Sequence, residues 1–417
     1  MSSLQELVDA LAGELGRPVG VDDRHFRALA YSSHDEEIDQ VRRDSILRRE
    51  APQEVTRWLS SLGIESVERH LRVPANAELG MDGRLCIPLR FEGATLGYLW
   101  LIDRPAVEDP RSLELATGYA EQLAAELTRV RRLESADRER QGRALLSVLG
   151  DGDPAAAAEL TTAGTLTGSS NFAVAVAHVW PRAGEGGAAP PGFGRELDVH
   201  LSLAAEEVRR SVPTNHALVV ARPQSVILAL GFEDPAEPGR RGAALLEACR
   251  RHLSTADAAV GSRPEVVVGI GAPRPALVEL GGSFREAQVC AEVGRRVEAI
   301  GSSKPVHWEA LGSYRSLASM LAGRDPDSFV PPQIHSLLGE RDGLTLLETA
   351  EAYLDRAADV KGTADALHLH RSGLYKRLHR IERLTGYDLR RGDDRLELHL
   401  GLRLWQLSGR RSSPREA

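Results

Sequence analysis

The sequence predicts a multidomain α+β protein whose last domain is entirely α-helical. Two blocks of the chain, residues 1–110 and 143–310, combine the alternating apolar pattern of strands with apolar residues at helical spacing. A heptad-spaced stretch separates them at 111–142, and after a connector at 311–343 only helical spacing occurs, from 344 to 408. The length of 417 residues favours two to four domains. Residues 409–417 are predicted to be a disordered tail.

Composition and charge are those of an ordinary globular protein. Apolar residues make up 42% and charged residues 27%, and the net charge is -8. No stretch approaches the roughly 18 apolar residues of a membrane span, and the N-terminus lacks the basic segment of a signal peptide. The cysteines Cys86, Cys249 and Cys290 form no CxxC pair, which argues against a disulfide framework or a zinc site. We therefore expect a cytoplasmic protein without a metal ion.

Residues 1–110 are predicted to form a compact α+β domain. Strands are expected at 17–21, 26–31, 84–91 and 95–102, with the last two joined as a hairpin at Glu92-Gly93. Trp58, Tyr98 and Trp100 are interpreted as core aromatic residues. The histidines of this block lack metal-ligand spacing: His25, His34 and His70.

The stretch from 111 predicts one long helix with a heptad seam. Apolar residues step along it by three and four positions: Leu113, Ala116, Ala120, Leu123, Leu127 and Val130. Charged residues follow from Arg129 to Glu139 and extend the helix beyond the width of one domain. Two interpretations stay open, since the seam could pack on its own domain or join two copies of the chain as a dimer.

Residues 143–310 follow the order βαββαβ, which is a ferredoxin-like layout shared by proteins of many functions. Strands are predicted at 172–179, 217–221, 226–230 and 266–270, and helices at 197–212, 243–253 and 284–300. Residues 183–194, rich in glycine, proline and alanine, are predicted to be a surface loop. The block contains no phosphate-binding loop, nucleophile elbow or HExxH motif.

Residues 344–408 predict a helix-turn-helix. The first helix presents Leu347, Ala350 and Leu354 on one side, and Asp359 is placed to cap a short second helix. A third helix follows, with Gly386 as its stop and an inward row of four apolar residues: Leu374, Leu378, Ile381 and Leu384. Between 371 and 384, five basic residues against one acid give a local charge of +4. A final helix is predicted around 394–407, although its alternating leucines also fit a strand.

The run from His370 to Gly386 (His-Arg-Ser-Gly-Leu-Tyr-Lys-Arg-Leu-His-Arg-Ile-Glu-Arg-Leu-Thr-Gly), followed by Asp-Arg-Leu-Glu-Leu-His-Leu at 394–400, resembles the C-terminal helix-turn-helix of the PucR/CdaR family of bacterial transcription regulators. The resemblance implies contacts to DNA bases or phosphates from this segment. The predicted DNA-binding residues are His370, Arg371, Ser372, Tyr375, Lys376, Arg377 and Arg380. The family usually has Asn-Thr where this chain has Ser372-Gly373, and a glycine there costs the helix about 1 kcal/mol.

The rest of the chain resembles the same family more loosely. The hairpin at 84–102 and the long helix after it look like the close of a GAF-like sensory domain, and the βαββαβ block resembles a GGDEF-like domain. GGDEF nucleotide cyclases need acidic metal ligands in their hairpin and first strand. Here the turn 221–225 and the strand 173–178 contain none, so we expect a degenerate domain without cyclase activity.

The resemblance implies a homodimeric or higher even-oligomeric transcription regulator, an activator rather than a repressor, that controls catabolic genes. Its expected partners are double-stranded DNA and a small metabolite sensed by the GAF-like domain, with no membrane, no cofactor and no enzymatic activity. An alternative of another class stays open. A signalling or scaffold dimer whose helix-turn-helix has lost DNA affinity would also fit Ser372-Gly373 and the negative overall charge.

Overall fold

A computed structural model describes residues 3–33, 39–48, 50–102, 110–180, 193–213, 215–254, 264–301, 303–321 and 324–409. The chain divides into two compact units, Met1–Glu139 and Arg140–Ala417. The predicted multidomain α+β class is confirmed, because each unit contains one five-stranded sheet and the C-terminal region is all helical. No helix among these residues is long and apolar enough to cross a membrane. His34, most of the loop predicted at 183–194 and the predicted tail beyond Gly409 lie outside the described residues.

The first unit is built on an antiparallel sheet in the order β2-β1-β5-β4-β3. Its elements are α1 (Leu4–Leu15), β1 (Val19–Asp23), β2 (Ala28–Tyr31), α2 (Gln40–Arg48), α3 (Gln53–Ser61), β3 (Leu71–Val73), β4 (Arg84–Phe91), β5 (Ala94–Ile102) and the start of α4 (Pro110–Asp151). The β4–β5 hairpin confirms the prediction. Strand β2 begins two residues later than predicted, because Phe26 adopts a φ of 61° in the turn after β1.

The two faces of this sheet carry different contacts. Val19, Val21 and Leu99 pack with α1 and α4 on one face. On the other face, Tyr98 and Trp100 are buried with Phe26, and Trp58 packs against that cluster. The predicted core role of these three aromatic residues is confirmed.

The heptad seam of α4 packs inside its own unit, as the first of the two interpretations expects. Ala116, Ala120, Leu123 and Leu127 are buried in the same core as the sheet, and Leu113 packs against that core. A heptad pattern records only that one face of the helix is apolar, and a sheet covers such a face as well as a second helix does. From 132 to 140, by contrast, every residue of α4 is exposed, including Leu133 at 54%.

Leu123→Asp should therefore unfold the first unit rather than separate two copies of the chain. Leu123 is 0% exposed, and a carboxylate in its place should lower the free energy of unfolding by about 3–5 kcal/mol. Urea denaturation followed by tryptophan fluorescence measures the loss. Leu133→Asp on the exposed part of the same helix is the matched control and should change little. If the Leu123→Asp protein stays folded but light scattering shows a monomer where the wild type is a dimer, the seam joins two copies of the chain.

Charged side chains gather on the α2 face of the first sheet. Arg84 donates to Asp39 at 2.5 Å, and both side chains are almost fully buried. Arg42 is also buried and donates to the Val19 carbonyl at 2.7 Å. Asp22 lies near both arginines, yet burial outweighs the attraction of Arg84 and raises the pKa of Asp22 to about 6.

This raised pKa makes a prediction about pH. The folded chain holds the Asp22 proton more tightly than the unfolded chain, so the stabilisation is complete near pH 4 and is lost as the pH rises through about 6. Asp22→Asn mimics the protonated carboxyl and should stabilise the protein more at pH 7 than at pH 4.5. Urea denaturation at both pH values, with Glu54→Gln as an exposed control, measures the difference. An equal effect of Asp22→Asn at the two pH values would contradict the raised pKa.

The second unit begins with the end of α4 and contains the ferredoxin-like sheet in the order β10-β9-β6-β8-β7. Its elements are α5 (Pro154–Thr162), β6 (Asn171–Trp180), α6 (Phe193–Ser211), β7 (Ala217–Arg222), β8 (Ser225–Phe232), α7 (Glu237–Ser254), β9 (Glu265–Ile270), α8 (Leu280–Arg296), α9 (Glu298–Gly301) and β10 (Val306–His307). The predicted βαββαβ order is confirmed, and β10 adds a parallel strand beside β9.

Helices cover both faces of this second sheet. Helices α6 and α7 pack on one face, while α8 and the end of α4 pack on the other. Gly269 and Gly271 let α8 approach β9 closely, because a Cβ atom at either position would overlap a backbone carbonyl of α8. Ser283 of α8 is completely buried and its hydroxyl accepts the Val174 N–H at 3.0 Å.

The C-terminal helices form a third core within the second unit. They are α10 (Tyr314–Met320), α11 (Pro332–Leu338), α12 (Gly343–Asp355), α13 (Val360–Ala366), α14 (Arg371–Thr385) and α15 (Gly392–Leu407). Residues 311–343 contain α10 and α11, and Val330, Ile334 and Leu337 are buried in the same core as α12 to α15. Residues 394–407 are helical, as predicted.

Candidate DNA-binding surface

Helices α13 and α14 form the predicted pair of short helices joined by a tight turn. Asp359 caps α13 as predicted, since its carboxylate accepts the N–H groups of Lys361 at 2.9 Å and Gly362 at 3.0 Å. Helix α14 ends at Gly386, which takes the left-handed conformation expected of a helix stop.

The turns on either side of α13 use left-handed residues that are not glycine. His368 has a φ of 52°, and the N–H of Leu369 reaches back to the Ala364 carbonyl at 2.8 Å to close α13. Before α13, Ala357 and Ala358 have φ values of 53° and 65°. Residue type gives no signal for the turn before α13, because alanine rarely adopts this conformation.

The buried side of α14 fixes the direction of its other side. Leu374, Leu378 and Ile381 are buried against α12 and α13, as the apolar spacing predicts, while Leu384 is only partly buried. The side of α14 opposite these apolar residues therefore faces solvent, from the first turn of the helix onward. His370, Arg371, Ser372, Tyr375 and Lys376 are all exposed there.

Two of these residues also build the start of the helix. His370 is the N-cap of α14, and its Nδ1 atom accepts the Ser372 N–H at 3.4 Å and lies 2.9 Å from the Ser372 hydroxyl. Gly373, beside them, has open space where a side chain would begin. The first turn of α14 is thus held in shape by local contacts and presents Arg371, Tyr375 and Lys376 to solvent.

Arg377 and Arg380 differ from these residues in making contacts within the chain, and their part in DNA binding stays a prediction. The Arg377 guanidinium donates to the Thr349 hydroxyl on α12 at 3.2 Å. Arg380 is held by two carboxylates, Glu340 at 2.6 Å and Asp342 at 2.8 Å. Arg377 lies about one turn and Arg380 about two turns beyond Gly373, so these contacts tie α14 to α12 and to the residues before it.

Two family profiles match the chain. The profile of the PucR C-terminal helix-turn-helix domain matches residues 346–404, and the profile of the GGDEF-like domain matches residues 150–293. The chain is also 22% identical to the proline-responsive transcriptional activator PutR of Bacillus subtilis, over 97% of this chain and 96% of PutR. The chain therefore contains a PucR-type C-terminal helix-turn-helix domain and a GGDEF-like domain.

Further relatives cover less of the PucR-type chain. It is 26% identical over 104 residues to the DNA-binding transcriptional activator AdeR of Bacillus subtilis, which is 24% of this chain and 25% of AdeR. A solved structure of a regulator of polyketide synthase expression from Bifidobacterium adolescentis is 16% identical, with a TM-score of 0.31, and aligns with 64% of this chain and 92% of that one.

The GGDEF-like domain of this PucR-type chain has the fold without the acidic residues of a cyclase hairpin. The β7–β8 turn consists of Arg222, Pro223, Gln224 and Ser225, and β6 has no aspartate or glutamate. Across the described ranges, no three histidine, cysteine, aspartate or glutamate residues are grouped to hold a metal ion. The cysteines Cys86, Cys249 and Cys290 are buried free thiols, and burial raises the pKa of each.

The left-handed turn of the PucR-type helix-turn-helix predicts opposite effects for one substitution at two histidines. His368→Gly should raise the free energy of unfolding by about 1 kcal/mol, because glycine adopts a positive φ without strain. His379→Gly, at an exposed site inside α14, should lower it by a similar amount. Urea denaturation followed by circular dichroism compares the two proteins, and destabilisation by both would contradict the strained turn.

Proposed function

We propose that the chain is a DNA-binding transcription regulator whose α14 enters the major groove. The observation that carries this proposal is the exposed side of the first two turns of α14, where Arg371, Tyr375 and Lys376 stand on a packed helical core. In a helix-turn-helix the first residues of the second helix reach base edges, and basic side chains around them neutralise phosphates. The match to the PucR helix-turn-helix profile supports the same assignment.

The described contacts suggest a division of roles within this surface. Arg371 can reach base edges or a phosphate from the first turn of α14, and Lys376 lies one turn further along the exposed side. Tyr375, which is 50% exposed, offers a hydroxyl and an apolar ring beside them. Arg380 holds α14 to the residues before α12 and contributes to DNA binding through that position.

We further propose that the regulator activates transcription of catabolic genes in response to a small metabolite and works without catalytic activity. PutR and AdeR are both transcriptional activators, and PutR responds to proline, so an amino acid is the first class of effector to test. Binding to two half-sites about 34 Å apart would require two copies of the chain. Because the α4 seam is covered, such a dimer would form through another surface.

Protection of the gene's own upstream DNA by the purified chain tests the proposal directly. A footprint with two half-sites that weakens steeply between low and high salt is expected, because each neutralised phosphate contributes a log-log slope of about -0.9. Selection of bound fragments from the whole genome extends the test to distant sites. If neither experiment finds bound DNA, the scaffold alternative replaces the regulator.

Lys376→Ala should weaken binding to specific and random DNA alike and reduce the salt slope by about 0.9, since an exposed lysine acts as a charge on the phosphate backbone. Fluorescence anisotropy with both DNAs at several salt concentrations measures this. Lys304→Ala, which removes an exposed lysine from the second unit outside the helix-turn-helix, is the matched control and should leave affinity unchanged. Loss confined to one base position would instead make Lys376 a base-reading residue.

A further inference from the structure

A cleft in the second unit lies where the GGDEF-like fold meets the helical core. It has a volume of about 830 Å³ and is lined by the end of β6, the outer side of α8, Trp308 and α10. This volume falls within the range of roughly 300–1,000 Å³ that is usual for small-molecule sites. The cleft is separate from the β7–β8 hairpin and from the exposed first turn of α14.

The apolar wall of this cleft comes from four side chains on four parts of the chain. Trp180, Val289, Trp308 and Ala318 all line it. The Trp180 ring is further braced by His178, with ring centroids 4.2 Å apart, and by Arg295, 5.0 Å from the centroid. Two indole rings in one cleft favour an aromatic ligand, because aromatic rings pack on each other with defined geometry.

The charges around the cleft favour an anion. Its two carboxylates are already paired, Glu286 with Arg274 at 2.7 Å and Glu292 with Arg296 at 2.6 Å. Arg285 is exposed in the cleft and forms no ion pair within the described part of the chain. Burial lowers the pKa of His178, which leaves its imidazole neutral at pH 7. The charge that remains unpaired in the cleft is therefore the positive charge of Arg285.

The cleft also borders the contact between the two parts of the second unit. Its four apolar residues pack against a buried cluster that contains Val293, Leu311 and Tyr314, together with Leu404 and Leu407 of α15. A molecule in the cleft would thus touch the layer that holds the last helix of the helix-turn-helix.

We propose that this cleft binds a small aromatic carboxylate, whose ring lies against Trp180 and Trp308 and whose carboxylate pairs with Arg285. Its occupancy changes the packing of α15 and so the DNA affinity. This second statement rests on the proposed DNA-binding function, while binding in the cleft does not.

Calorimetric titration of the full chain with benzoate tests the site. Benzoate should bind saturably, and cyclohexanecarboxylate, which lacks the flat ring, and benzamide, which lacks the charge, should bind at least tenfold more weakly. Arg285→Gln should weaken benzoate binding tenfold or more, and Ser319→Trp should block the cleft from an exposed position. Arg222→Gln, at an exposed arginine on the β7–β8 turn, is the matched control and should bind as the wild type does.

The outcomes separate the site from its regulatory role. No saturable binding, or equal binding by wild type, Arg285→Gln and Ser319→Trp, overturns the site. If benzoate binds in the cleft but leaves the DNA dissociation constant of the wild type unchanged, the coupling to α15 is wrong. A chain that binds benzoate in the cleft and binds no DNA under any condition overturns the proposed function and leaves the site standing.

Discussion

The arrangement of the second unit depends on the burial of α15 on two sides at once. Leu398 and Leu402 fill the helical core with α12 and α14, while Leu404 and Leu407, one turn later, pack against α8 and its neighbours. Since a helix shifts as one body, its first half cannot move in the helical core without moving its second half against α8. Helix α14 is therefore positioned relative to the sheet that contains β6 and β9 through apolar contacts of a single helix, α15.

Polar contacts make the same junction specific. Arg403 donates to Glu351 at 3.1 Å, to Asp355 at 2.5 Å and to the Tyr314 hydroxyl at 2.9 Å, which ties α15 to α12 and α10. Arg296 of α8 donates to the Leu407 carbonyl at 2.5 Å, at the end of α15. Apolar contact alone would permit sliding, whereas these directional bonds are satisfied in one register only.

The features that local patterns can predict were predicted, and those that depend on the whole fold were not. Apolar spacing placed Leu374, Leu378 and Ile381 inside, and Glu92-Gly93 marked the hairpin, because each signal lies within a few residues. Which surface covers the α4 seam depended on a sheet whose strands are distant from it in sequence. The contacts of Arg377 and Arg380 with Thr349, Glu340 and Asp342 join residues that come close only after folding. The turn at Ala357 and Ala358 had no signal, because alanine rarely adopts a positive φ.

Helix α8 is held closely on the side that faces β9, because of Gly269 and Gly271, and less closely on the side that faces α15. With Gly269 and Gly271 against the backbone of α8, and with the buried Ser283 bonded to β6, helix and sheet leave no space in which to slide. The opposite side of α8 meets α15 through side chains alone, apart from the bond to the Leu407 carbonyl, and side chains can change rotamer. A mechanical load on this unit would therefore displace α15 relative to α8 before it displaced α8 relative to the sheet.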